Sequence, residues 1–147
     1  MRRGSFSRVR RLLSRDGARV AEAMTYLALA RIAVLVLPFR VLARRLGVRH
    51  AETPATAGVD PASREIAWAL AAAARRAPWR SECLEQAVAA KAMLRRRGIA
   101  STLYLGMVRD PDATAHAWVR VGDTNITGGR DVARYAVVAS FADLDRR

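Results

Sequence analysis

Lysine occurs once in this chain, at residue 91, and cysteine once, at residue 83. A single cysteine cannot close an intramolecular disulfide, so a secreted disulfide scaffold is excluded and a reducing, cytoplasmic setting is expected. Aromatics make up 6% of the 147 residues and do not interleave with the arginines as base-stacking platforms do, so nucleic acid is not an expected partner. No apolar run approaches the roughly 20 residues that span a bilayer. The most hydrophobic stretch, 26–43, is interrupted by Arg31, Pro38 and Arg40. It reads as a buried helix rather than a membrane contact. No secretory h-region is present at the start. There is no glycine-rich phosphate loop and no Cys/His set at zinc-ligand spacing, so neither a cofactor nor a metal is expected.

Acidic residues are scarce in the first third. Twelve arginines in residues 1–50 face only Asp16 and Glu22, and the whole chain carries +13. Such a segment meets an anionic partner or forms a solvated basic face.

The residues that are abundant favour helix. Hydrophobic residues are 52% of the chain, and the length suits one domain. A first helix is expected with Val9, Leu12, Leu13, Val20 and Met24 as its apolar positions. A second carries the apolar stretch 26–43, stops or kinks near Pro38 and ends at Gly47. Residues 48–62, with Pro54, Gly58 and Pro61, read as a linker. A helix over 62–76 carries Ile66, Leu70 and Ala73 on one face, and Pro78 ends it. The helix of 81–98 takes Ser81 as N-cap and Gly98 as its stop. Strands are expected over 101–108, 115–121 and 124–127. The segment 109–113 makes a turn, and Gly122-Asp123 makes a hairpin. The tail 131–141 is an edge strand or short helix. The fold class is therefore α+β: an N-terminal helical region, 1–50, and a core, 51–147, in which a Cys-bearing helix packs on a small antiparallel sheet.

Cys83 falls in the first turn of its helix, where unpaired N–H groups and the dipole favour a thiolate. His116 lies on a strand in ATAHAWVRV, on the same face as Trp118 and Arg120. The only other histidine, His50, sits in the linker. A cysteine on a helix followed by a histidine on a strand is the order of a thiol nucleophile and its base. Trp118 is a candidate wall of the site, and the Trp79 indole a candidate oxyanion donor.

With these motifs in view, RAPWRSECLEQAVAAKAMLRRRG followed by AHAWVRVGD resembles the leader peptidases of lasso-peptide biosynthesis (the B2 proteins), in the transglutaminase-like superfamily. LVLPFRVLARRLG before the linker matches as well, so the resemblance covers about 30–140. It implies a cysteine peptidase that removes the leader from a ribosomally made precursor peptide. A B1 leader-recognition protein presents the leader, and an ATP-dependent lasso cyclase then closes the ring. The nucleophile and base positions fall on Cys83 and His116. The acid of that family, about twelve residues after the histidine, falls on Gly128. If the hairpin ladder runs without interruption, Asp131 shares the His116 face at about 7 Å along the strand, and it is the expected third member. A backbone carbonyl or Thr127 is the alternative support for the imidazole. A non-catalytic peptide-binding module of the same fold is the alternative function, and a basic nucleic-acid or membrane binder the third.

Overall fold

The computed structural model describes residues 3–108 and 113–144, with the side chains of 3–9 and 11–13 outside the described set. The side chains of the expected apolar positions Val9, Leu12 and Leu13, and most of the expected turn at 109–113, therefore lie outside the described set.

The first two expected helices join. Helix α1 runs unbroken over Arg3–Val36, about 50 Å at 1.5 Å per residue. Thr25 lies inside it, its hydroxyl donating back to the Ala21 carbonyl at 2.9 Å. The break comes at Pro38, which caps the short helix α2, Phe39–Leu46. No helix among the described residues is long and apolar enough to cross a membrane.

The linker is not wholly irregular, since Val48–Arg49 forms strand β1. Helix α3, Pro61–Arg76, starts where Asp60 accepts hydrogen bonds from the Ala62 and Ser63 N–H groups, with proline at N1. Helix α4 spans Cys83–Arg96. Its N-cap is Glu82 rather than Ser81. The Glu85 carboxylate reaches back to the Glu82 N–H at 3.4 Å, so the reciprocal cap forms one residue later than expected.

Strands β2 (Thr102–Val108), β3 (Thr114–Val121) and β4 (Thr124–Thr127) form a meander. A 3-10 turn, Asp131–Arg134, then leads into β5, Ala136–Ala142. The tail is not an edge strand: the sheet order is β1-β5-β2-β3-β4, all antiparallel.

Alternation divides the sheet into two faces. Leu103, Ala117, Val119, Ile126, Ala139 and Phe141 join Ile66, Leu70, Ala87, Ala90 and Leu94 of α3 and α4 in one core. Helix α1 packs on α3 and α4, contributing Ala23, Leu27 and Ala30. Ion pairs from Arg19 to Glu65 and from Arg97 to Glu22 fasten it there. The opposite face carries Tyr104, His116, Trp118 and Arg120. The former linker crosses this face: Glu52 accepts from the Tyr104 hydroxyl, and the Thr53 carbonyl accepts from Arg120.

Candidate active site

Cys83 is the first residue of α4, half-buried, and it packs against the edge of the helix–sheet core. Lys91 and Arg95 bind Ser101 and Asp143, which pins the second half of α4 to the start of β2 and the end of β5. The Cys83 end of the helix therefore points toward the other end of the sheet, where β3 begins and His116 stands. Around Cys83 the acidic side chains are engaged. Glu85, almost fully buried, pairs with Arg31 of α1 at 3.0 Å, and exposed Glu82 pairs with Arg80 at 3.5 Å. Two buried polar atoms just upstream, Trp79 Nε1 and Ser81 Oγ, have no hydrogen-bond partner among the described residues.

His116 is half-buried and faces Gly106 across the β2–β3 ladder. Its ring lies 4.8 Å from that of Tyr135 and 5.9 Å from that of Trp118, and Trp118 in turn stacks on Tyr104 at 5.3 Å. Burial raises the Tyr104 hydroxyl above its ordinary pKa, with the Arg120 hydrogen bond opposing the shift. That hydroxyl stays a neutral donor to Glu52 and fixes the floor under Trp118.

His116 Nε2 lies 2.7 Å from the Gly128 carbonyl oxygen. A carbonyl only accepts, so Nε2 carries the hydrogen and donates it. The register explains why Gly128 is there. The β3–β4 ladder slips between Val119 and Arg120, so Val119 faces Thr127 where an uninterrupted hairpin would give Ile126. The slip draws Gly128 over Trp118. Its φ is +96°, and a Cβ there would penetrate the Trp118 Cβ and stand 3.2 Å from His116 Nε2. Gly106 meets the other side of the same indole, where a Cβ would be 2.8 Å from the ring. Gly106 thus leaves room for the Trp118 ring, and Gly128 for the Trp118 Cβ and backbone.

Asp131 opens the 3-10 turn, is exposed, and makes no hydrogen bond with His116. The parity that placed it near the imidazole assumed a ladder without the slip. Cys83 and His116 stand on elements that pack together, but no hydrogen bond joins Sγ to the ring. The thiol lies against the helix-side core, whereas strand alternation directs the ring to the other face.

Sequence reasoning missed three contributors. Arg31, the charge inside the apolar stretch, anchors the head of α4. Tyr135 backs the imidazole. Lys91, the chain's only lysine in a sequence that otherwise uses arginine, is buried at 1% exposure in the middle of α4. The first and last carried a signal, a charge where the pattern called for an apolar residue.

A helix headed by cysteine packs on an antiparallel sheet whose strand β3 carries histidine, giving an α+β fold. The family model described as the transglutaminase-like superfamily matches residues 26–140, and the chain belongs to that superfamily. The superfamily includes cysteine proteases and acyltransferases. Comparison with curated proteins and with solved structures finds no significant match.

Proposed function

We propose that this protein is a cysteine peptidase that removes the leader from a ribosomally made lasso precursor peptide, with Cys83 as nucleophile and His116 as base. The observation that carries the reading is the bond from His116 Nε2 to the Gly128 carbonyl. When the ring is neutral, Nε2 donating leaves the lone pair on Nδ1, and an imidazole held at one nitrogen can take a thiol proton at the other. The carbonyl that holds it belongs to the position where the resembled family has its acid, so a backbone oxygen takes over the orienting part assigned to Asp131.

In the resting chain the thiol and imidazole are not hydrogen-bonded and face different sides of the sheet, so catalysis requires His116 or the head of α4 to reorient when substrate binds. The Cys83 proton moves to Nδ1 as Sγ bonds to the scissile carbonyl carbon. The oxyanion forms beside the Cys83 N–H at the helix N-terminus, with the orphaned Trp79 indole N–H as a second donor. The C–N bond then breaks, the proton on Nδ1 passes to the leaving amine, and water hydrolyses the thioester with His116 again as base. A B1 leader-recognition protein and a lasso cyclase in the cytoplasm are the proposed partners, upstream and downstream of the cut.

The missing Sγ–imidazole bond favours a second reading, a peptide-binding module that uses only the fold. Mass spectrometry of the cognate precursor separates the two. Wild-type protein with its recognition partner is expected to release the leader, and Cys83→Ala and His116→Ala each to lower the rate by at least about a thousandfold while remaining folded. Cleavage retained in the Cys83→Ala protein would overturn Cys83 as nucleophile, and precursor bound but left uncut by the wild type would leave only the binding module.

A further inference from the structure

Apart from Arg31, which pairs with Glu85, the last turns of α1 are apolar on both their inner and outer sides. Ala23, Leu27 and Ala30 face the core, while Leu29, Ile32, Leu35 and Val36 on the outer side are between 57% and 72% exposed. A helix apolar all round is ordinarily covered all round. Leu29 also opens onto a groove of about 500 Å³ between α1, α2 and α4, floored by Ala33, Leu42 and Val88. Exposed Phe39 and Val41 extend the apolar surface onto α2. Exposed apolar surface of this kind, rimmed by arginines, marks an interaction site.

Charge narrows what covers it. Arg45 lines the groove, and Arg40 and Arg44 on the same short helix line an adjoining one. Among the described residues no carboxylate pairs with any of these three, whereas Arg95 beside them is taken up by Asp143. A second copy would bring the same unpaired arginines and the same +13 charge, which opposes self-association. A bilayer surface would meet the outer Leu and Val side chains but leave the concave groove unfilled. We infer that the α1–α2–α4 groove docks an acidic amphipathic helix of a partner protein, its apolar side chains entering at i, i+3, i+4 and i+7 and its carboxylates meeting the α2 arginines. This surface does not depend on the thiol chemistry, and it binds equally well in a Cys83→Ala protein.

The test uses the full chain and a fluorescein-labelled helical peptide of about 18 residues, with Leu at that spacing and Glu elsewhere. A twin peptide carries Lys for Glu, and phosphatidylglycerol vesicles form a separate arm. Fluorescence anisotropy is expected to show saturable binding of the Glu peptide and none of the Lys peptide. Binding should weaken at least about tenfold in Leu29→Ser/Ile32→Ser/Val36→Ser and in Arg44→Glu/Arg45→Glu. All of these side chains are largely exposed, and circular dichroism confirms that the variants keep the fold. No binding of the Glu peptide, equal binding of both peptides, or affinity unchanged in both variants would overturn the inference. So would vesicle binding without peptide binding, or dimerisation through this face in sedimentation.

Discussion

Restoring an acid at position 128 is expected to destroy the site rather than complete it. The backbone there has φ +96°, a conformation that side chains rarely adopt, and the new Cβ would be driven into Trp118. Left-handed strain and overpacking against the Trp118 Cβ and backbone together cost about 4 kcal/mol. For a domain of this length that lowers Tm by about 10 °C or more. Relief requires Gly128 to move off Trp118, and its carbonyl then leaves His116 Nε2. Gly128→Asp should therefore lose both thermal stability and peptidase activity. Gly128→Ala should lose nearly as much, because the clash needs no carboxylate. Thermal unfolding by circular dichroism checks this directly. A Gly128→Asp protein within a degree or two of wild type, and more active, would mean that the position holds an ordinary backbone and that the acid is its proper occupant.

Lys91 gives the second large effect. Its ammonium donates to the Ser101 carbonyl at 2.8 Å and to Asp143 at 2.9 Å, and Asp143 is also bound by Arg95. Removing one partner of a buried pair leaves the other uncompensated. Arg95 remains beside Asp143, so Lys91→Ala is expected at the lower end of the range for such losses, about 3 kcal/mol. Lys91→Met, which keeps the volume, should cost less. The pH dependence separates charge from packing. Burial lowers the Lys91 pKa below its ordinary 10.5, against the raising effect of Asp143. Between the lowered value and 10.5 the unfolded chain holds the proton and the folded chain has released it, so stability rises with pH across that window. Burial alone would raise Asp143, but the hydrogen bonds and charges of Lys91 and Arg95 bring it below its ordinary 3.8. Its contribution is complete above 3.8 and is lost as pH falls through the lower folded value. Denaturant unfolding across pH should show both limbs in wild type and no alkaline limb in Lys91→Met.

Much of the fold was legible because its signals are local. Pro38, Pro61 and Pro78 mark breaks whatever packs around them, and the alternation in TLYLGMV and TAHAWVRV states which side chains share a face. Cys83 at a helix head and His116 on a strand were legible for the same reason. What failed depended on partners distant in sequence. The amphipathic start and the apolar stretch of 26–43 read as separate helices, yet packing on α3 and α4 carries one helix through. The cap moved from Ser81 to Glu82 because Glu85, held by Arg31 of another helix, completes the box one residue on. Asp131 was placed by counting along an unbroken ladder, and a one-residue slip at Val119 changes everything beyond it. No local pattern announces that slip. Its only trace is the Gly128-Gly129 pair, which reads as a strand end until Trp118 is seen to need the space.

The central claim is that the Gly128-held imidazole serves the Cys83 thiol. The most direct measurement is the rate of iodoacetamide alkylation of Cys83, the only thiol in the chain, at pH 7 in wild type and in His116→Ala. The pair requires wild type to react at least about tenfold faster than the variant, with both folded by circular dichroism. Equal rates in the two proteins would contradict it, and would make Cys83 a packing residue of the helix–sheet core.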